Sequence, residues 1–276
     1  MFSPGIICYF VYLPQTTAYI NATGFAFTTA QKDGIDRFFK DITGVSNPSY
    51  TTFNVLSKMV VLYPSLTGTS VADKINMVNP GSYSYTETGS PTYNTSTKSV
   101  AFNGTTQYLD TTFTPNGELT TFANSDFTGY GIHRVDTNID TNATSGEVSG
   151  GNSYAFFLGG AAGPGVIQMI LSAQTANSTS KAFPTNSWYM ASWASSTTIN
   201  AYANGTNINT QTLTWNNTPT LSSYIGGYHS GGGANYGGPS TVDMYFSVRN
   251  TWSDAEVTFI YKATKALKVI FGITWT

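Results

Sequence analysis

The pattern of apolar and polar residues changes near residue 80. Before that point, apolar positions repeat with the period of a helix. From Tyr83 to about residue 250 they alternate with the period of a strand. Many short strand-like runs separated by turn residues favour an antiparallel jelly-roll sandwich. We therefore expect an N-terminal segment over residues 1–80 and a β domain over residues 81–276.

Two amphipathic helices are predicted in the N-terminal segment. The first begins after Thr28 or Thr29, ends at Gly44, and has its apolar positions at the spacing of one helix face: Ile35, Phe38, Phe39 and Ile42. The second is predicted from residue 51 or 52 to Tyr63, where Pro64 stops it. We expect the two helices to form a hairpin that packs on the β domain or on a neighbouring subunit.

The β domain is predicted to contain strands at residues 99–105, 107–113, 127–134, 153–158, 166–173, 188–195, 199–203, 206–214, 223–227 and 241–249. Asn204-Gly205 is typical of a tight hairpin turn. A short C-terminal helix is predicted to begin at the capping box of Ser253 and Glu256. The last segment, residues 268–275, is predicted to be a strand.

Composition excludes several classes of function. Charged residues make up 9% of the 276-residue chain, against roughly 25% in average soluble proteins. The net charge of −2 offers no basic surface for nucleic acid. No apolar run approaches the roughly 20 residues of a membrane span, so we expect no membrane insertion. The single cysteine, Cys8, excludes an intrachain disulfide and a multi-cysteine zinc site.

Two long loops are the candidate functional regions. The loop Val135–Gly151 carries oxygen ligands that suit calcium: Asp136, Asn138, Asp140, Asn142 and Glu147. These five residues do not follow the spacing of a regular calcium-loop motif, so a solvated loop without a metal is the alternative. We therefore expect no cofactor. The Gly-rich loop Tyr228–Ser240 carries candidate glycan- or receptor-binding residues: Tyr228, His229, Asn235 and Tyr236. A hairpin with ordinary surface aromatics is the alternative there.

The sequence carries little sign of catalysis. It contains no nucleophile elbow, no His-Glu-x-x-His motif and no phosphate-binding loop. His133 and His229 have no evident sequence partner. We expect no enzymatic activity, and a glycan hydrolase or lyase with paired carboxylates is the one form of enzyme left open.

Several segments of the β domain resemble laminin G-like, concanavalin A-like jelly rolls. They are Phe102–Asp110, Trp188–Ser192, Ile199–Gly205, Ser223–Gly227 and Trp252–Val257, and together they span about residues 80–265. The N-terminal residues 56–64, 68–70 and 76–80 are similar to a leader found ahead of such jelly rolls in bacteriophage virion proteins. These are tail-fibre, head-fibre and capsid-decoration components. No catalytic residue and no calcium site carries over from this resemblance.

The resemblance implies a non-enzymatic virion protein, assembled in the host cytoplasm and displaying a jelly roll with glycan affinity. Its expected partners are other virion proteins, further copies of itself in a homo-oligomer such as a trimer, and a cell-surface glycan. The apolar segment near the N-terminus is the expected attachment site, with Ile6, Ile7, Cys8, Phe10 and Tyr12 as its residues. A secreted carbohydrate-binding module is the alternative.

Overall fold

The computed structural model describes residues 11–45, 47–114, 127–135, 143–149, 152–158, 167–171, 174–177, 186–212, 221–230, 233–236 and 238–275. Two β-sheets pack face to face, and helices cover the outer face of one of them. The predicted antiparallel β-sandwich with flanking helices is therefore confirmed.

The sheet beneath the helices, sheet A, contains eight strands within the described residues. In spatial order these are β13 (Thr206–Thr212), β12 (Thr198–Ala203), β11 (Ser187–Ser195), β6 (Phe127–Arg134), β17 (Ser240–Arg249), β4 (Ser99–Phe102) and β3 (Thr92–Asn94), with β1 (Met59–Tyr63) also paired to β17. All of these pairs are antiparallel.

The second sheet, sheet B, contains nine strands within the described residues. In spatial order these are β10 (Gln174–Asn177), β9 (Ile167–Leu171), β8 (Asn152–Leu158), β7 (Ala143–Ser149), β14 (Tyr224–Ile225), β5 (Tyr108–Asp110) and β2 (Thr86–Thr88), with the hairpin of β15 (Gly227–Ser230) and β16 (Gly233–Tyr236) beside β7. Strands β15 and β7 run parallel to each other, unlike their neighbours.

The central strands of sheet A are buried on both faces. Along β11, Tyr189, Ala191 and Trp193 point into the sandwich, whereas Trp188 and Met190 point toward the helices. Successive side chains of a strand alternate between faces, so both alternating sets must be apolar when both faces are covered. The result is two cores, one between the sheets and one between sheet A and the helices.

The helices lie near the two ends of the chain. They are α1 (Pro14–Thr23), α2 (Thr29–Ile42), α3 (Ser70–Asp73) and α4 (Asp254–Ile270). Both long helices begin as predicted, with capping boxes formed by Thr28 with Gln31 and by Ser253 with Glu256. None of the helices in the described part of the chain is long and apolar enough to cross a membrane.

The predicted helix over residues 51–63 is wrong. Residues 59–63 form strand β1, and only Leu56–Lys58 make a short 3-10 turn. All five residues of β1 are buried, so its apolar run covers two faces and produces a false helical spacing. The partner of α2 in the N-terminal hairpin is instead α1, which begins with Pro14 and ends at Gly24 in the left-handed conformation.

The predicted strand over residues 268–275 is also wrong. Helix α4 continues to Ile270, because Leu267 and Lys268 extend its buried face, and Gly272 then turns the chain at φ 78°. The predicted loop Val135–Gly151 contains strand β7, and the predicted loop Tyr228–Ser240 contains the β15–β16 hairpin. The domain boundary at residue 80 stays a prediction.

Candidate functional site

The outer face of sheet B carries a column of three aromatic rings. Leu109 and Ile225 belong to the core between the sheets, so their strand neighbours Tyr108 and Tyr224 face outward. The Tyr108 and Tyr224 rings are stacked, with centroids 4.2 Å apart and planes at 16°. The His229 ring stacks on Tyr224 at 4.5 Å and 8°. Three separate strands thus contribute to one flat column.

Exposure differs along this column. Tyr224, in the middle, is 6% exposed because another ring lies on each side of it. Tyr108 and His229, at the two ends, are half-buried and reach solvent. The column therefore offers exposed aromatic groups on a rigid sheet. Such groups can pack on the apolar face of a ligand ring and donate or accept hydrogen bonds at their edges.

The structure places one of the four predicted loop residues in this column, namely His229. Tyr228 lies on β15 opposite Asn235 on β16, and Tyr236 lies opposite Gly227 in the same hairpin. The side chains of Tyr228, Asn235 and Tyr236 lie outside the described residues. Ligand binding by these four residues stays a prediction.

The predicted attachment segment is described only at its end. Ile6, Ile7, Cys8 and Phe10 lie outside the described residues. The Tyr12 hydroxyl donates a hydrogen bond of 2.9 Å to Asp33 on α2, and Asp33 raises the pKa of that phenol. Tyr12 therefore holds the start of the described chain against the helical layer, whereas its neighbour Val11 is exposed.

The candidate calcium ligands Asp136, Asn138, Asp140 and Asn142 lie outside the described residues, and Glu147 lies on β7. Within the part of the chain that the structure describes, no three His, Cys, Asp or Glu residues are grouped to hold a metal ion.

A second group of polar residues is buried between sheet A and α4. His133 Nδ1 lies 2.5 Å from Asp243 Oδ1, and Lys268 Nζ lies 3.1 Å from Asp243 Oδ2. The indole N–H of Trp275 donates to Oδ2 at 3.1 Å, and its ring stacks on His133 at 4.1 Å. Each of these four residues is at most 2% exposed.

A β-bulge brings this buried cluster together. On β17, Val242 is opposite Arg134 and Met244 is opposite His133, so Asp243 is an extra residue in the ladder. The bulge turns Asp243 to the helical face, where His133, Lys268 and Trp275 meet it. No partner for His133 was predicted, because Asp243 is 110 residues away along the chain and the bulge that brings it close has no local sequence pattern.

Burial shapes the charges of the cluster. It lowers the pKa of Lys268, and the facing Asp243 carboxylate opposes that shift. Burial by itself would raise the pKa of Asp243, but the Lys268 ammonium and the His133 ring bring it below its usual range. Lys268 also donates to two backbone carbonyls, those of Asp243 at 2.7 Å and Ser65 at 3.2 Å.

Comparisons with known proteins give a fold but no family. No protein-family model matches the sequence, and no curated protein matches it. A Trypanosoma rangeli sialidase structure in complex with a difluoro-KDN compound aligns with a TM-score of 0.56 at 12% identity, over 84% of this chain and 38% of the sialidase. A structure of botulinum neurotoxin type C, a toxin whose cell entry depends on interaction with two ganglioside molecules, aligns with a TM-score of 0.54 at 8% identity, over 76% of this chain. The binding domain of botulinum neurotoxin serotype D aligns with a TM-score of 0.51 at 8% identity.

The chain spans about half the length of the two neurotoxin chains, 52% and 53%. At these identities the likeness establishes the β-sandwich fold. The aromatic column and the buried cluster are defined by contacts within this chain.

Proposed function

We propose that this chain is a non-enzymatic, glycan-binding structural protein of a bacteriophage particle. The binding surface is the outer face of sheet B, and the observation that carries the proposal is the column of Tyr108, Tyr224 and His229. A pyranose ring has an apolar face that packs on an aromatic ring, and its hydroxyls hydrogen-bond to phenol and imidazole groups.

The position of the column supports this role. Helices cover the outer face of sheet A, whereas Tyr108 and His229 remain accessible on the outer face of sheet B. A sheet holds these rings at fixed spacing, so little conformational entropy is lost when a ligand binds. The low charge of the chain also suits a ligand held by stacking and hydrogen bonds, since such contacts depend weakly on salt.

The fold supports the same proposal in a general way. Among the solved structures that share it are a neurotoxin that interacts with gangliosides and a sialidase bound to a sugar-like acid. In this chain we propose binding without turnover, with the column supplying the stacking surfaces for a sugar ring.

Glycan binding is tested with the purified full chain on an array of bacterial and eukaryotic oligosaccharides, followed by calorimetry on the best ligand. We expect Tyr108→Ala and His229→Ala each to weaken binding about tenfold or more, since stacking contacts contribute on the order of 1–2 kcal/mol. Tyr50→Ala is the matched control, a half-buried tyrosine in a tilted ring contact with Phe259 in the helical layer. Equal affinity in all variants would place the binding surface elsewhere. Shortening of the bound oligosaccharide would favour the hydrolase or lyase alternative.

Attachment to the particle through residues 6–12 is the second part of the proposal. It rests on the apolar character of that segment and on the resemblance of the N-terminal block to virion leaders. We expect Ile7→Asp or Cys8→Asp to block incorporation into particles while the soluble protein keeps its thermal stability. Val71→Asp, at an exposed valine of α3, is the control. Normal incorporation of the Ile7 and Cys8 variants would contradict attachment by this segment and leave the glycan site unaffected.

A further inference from the structure

Lys268 and Asp243 hold an amine and a carboxyl group in contact where water is excluded. The Nζ atom of Lys268 lies 3.1 Å from Oδ2 of Asp243, and both side chains are at most 1% exposed. Reacting groups held at such distances gain most of the entropic advantage of an intramolecular reaction. Burial also lowers the pKa of Lys268 and so favours its uncharged amine, the form that attacks a carboxyl carbon.

We propose that Lys268 and Asp243 condense to an amide bond that links α4 covalently to β17. Three features support this modification: the enclosed pair itself, the His133 ring on one carboxylate oxygen, and the Trp275 indole on the other. The two oxygens of Asp243 thereby have different environments. Oδ1 faces the His133 ring, whereas Oδ2 faces both the indole N–H of Trp275 and the Lys268 ammonium.

The reaction balances without an oxidant or a further reactant. A proton first moves from the Lys268 ammonium to Oδ2 of Asp243, across the contact that already joins them. The nitrogen lone pair then forms the C–N bond, and the electron pair of the C–Oδ1 carbonyl moves onto Oδ1, where the Nδ1–H of His133 donates a hydrogen bond to the developing charge. The electron pair returns from Oδ1 to carbon as the bond from carbon to Oδ2 breaks, and Oδ2 takes a second proton from the Lys268 nitrogen and leaves as water.

His133 is the catalytic residue for attack on the carboxyl carbon. Its Nδ1–H donates the hydrogen bond that stabilises the negative charge on Oδ1 and keeps its proton throughout, while the indole N–H of Trp275 donates to the leaving Oδ2. The other ring nitrogen, Nε2, is buried and has no hydrogen-bond partner among the described residues. A buried N–H without an acceptor is costly, so the neutral ring carries its proton on Nδ1, at the reacting carboxyl group. The sum is one ammonium and one carboxylate giving one amide and one water.

Another lysine–aspartate pair of the chain lacks these features and serves as an internal control. Lys40 and Asp36 are 2.7 Å apart on α2, but the Lys40 side chain is 37% exposed. No histidine hydrogen bond to Asp36 is found among the described residues. Water solvates the Lys40 ammonium, so it keeps its charge and we expect the pair to stay unlinked.

The bond would have a clear mechanical effect. It would close a loop of 25 residues between β17 and the end of α4. Because Cys8 is the single cysteine, this chain has no disulfide of its own to restrain that helix. An amide restrains the chain in a similar way and also resists reduction.

Intact-mass spectrometry of the purified, fully denatured chain tests the proposal. We expect the protein to be lighter than its sequence mass by one water, and proteolytic mapping to give a branched peptide that joins the segments of Asp243 and Lys268. Asp36 and Lys40 should appear in unlinked peptides. A wild-type chain at its full sequence mass, or a water loss mapped to other residues, would overturn the proposal.

Two variants separate the chemistry from the fold. Lys268→Met removes the nucleophile but keeps most of the apolar side chain, and His133→Phe removes the Nδ1–H donor to Oδ1 but keeps an aromatic ring against Trp275. We expect both proteins to have their full sequence mass. A His133→Phe protein that forms the bond as completely as the wild type would refute the role of His133. Because the wild-type mass decides whether the bond exists, the test holds even where a variant folds poorly.

Discussion

Gly131 on β6 lies directly against the ring of Phe246 on the neighbouring strand β17. A Cβ at residue 131 would collide with this ring and would come within 2.6 Å of the Tyr189 carbonyl oxygen. The missing side chain lets Phe246 reach over β6 and stack on Trp188 of β11, with centroids 5.3 Å apart. One glycine therefore permits an aromatic contact between two strands that are not neighbours.

We expect Gly131→Ala to lower the free energy of unfolding by about 3 kcal/mol, because an overpacked core must displace a ring and a backbone carbonyl. The measurement is urea denaturation followed by tryptophan fluorescence. Gly81→Ala is the control, since a Cβ there meets no atom within 4 Å, and it should change the stability by about 1 kcal/mol at most. Equal effects of the two substitutions would show that residue 131 has room for a side chain.

Asp36 gives the helical layer a pH dependence. Burial alone would raise the pKa of Asp36, but hydrogen bonds from Lys40, the Leu13 amide and Thr16 bring it below the ordinary value of 3.8. A carboxyl group with a lowered pKa stabilises the folded state above its unfolded pKa, and this contribution disappears as the pH falls below that value.

Asp36→Asn should therefore destabilise the protein by about 1–3 kcal/mol at pH 7, since charged hydrogen bonds of α1 to α2 are lost. Near pH 3 the difference from the wild type should shrink. Thermal unfolding at both pH values measures this. Asp33→Asn, at an exposed position that contacts Tyr12, should have little effect at either pH. A constant difference between Asp36→Asn and wild type would exclude a role for the charge.

The Ser253 cap should matter for the start of α4. Ser253→Ala removes the side-chain acceptor of the Glu256 amide and should cost about 1 kcal/mol, whereas Ser253→Asp keeps an acceptor and should retain the stability. Chemical denaturation of the three proteins compares them. A Ser253→Asp protein as unstable as the alanine variant would contradict the capping explanation.

A fragment containing residues 81–276 should not fold. It lacks β1, which pairs with β17, and it lacks α2, whose Phe38 and Phe39 cover the helical face of sheet A. Exposed Trp188, Met190 and Phe246 would then promote aggregation. The same chain without residues 1–11 keeps every described element and should stay soluble. A monomeric, cooperatively unfolding 81–276 fragment would instead support the predicted boundary at residue 80.

Strands and helices were predicted correctly where a single local pattern, such as flanking turn residues or a helix cap, marked their ends. Strands β6, β11, β12 and β17 were located because turn residues flank them, and Asn204-Gly205 marked the hairpin between β12 and β13. The capping box of Ser253 and Glu256 was also predicted, whereas at the start of α2 the cap at Thr28 was predicted without its partner Gln31. Strand β1 was misread because all five of its residues are apolar, and α1 was missed because its polar and apolar residues are not segregated on two faces.

The functional groups were harder to predict, because their members are distant along the chain. Tyr108 and Tyr224 meet only when β5 and β14 pair. The candidate residues predicted from the long loops therefore included His229 of the column but neither of these tyrosines. His133 and Asp243 are 110 residues apart and meet because of a bulge that no local pattern marks. The signal available in the sequence was the presence of Asp243 and Lys268 within otherwise apolar stretches.

The pairing of β1 with β17 also fixes an order of events during synthesis. Tyr63 is opposite Tyr245, so a strand from the first quarter of the chain must wait for one of the last strands to be translated. Contacts over such separations form slowly, and the unpaired edge of an apolar strand is exposed until they do. The β1 segment is therefore where we expect a nascent chain of this protein to depend most on chaperones before its release from the ribosome.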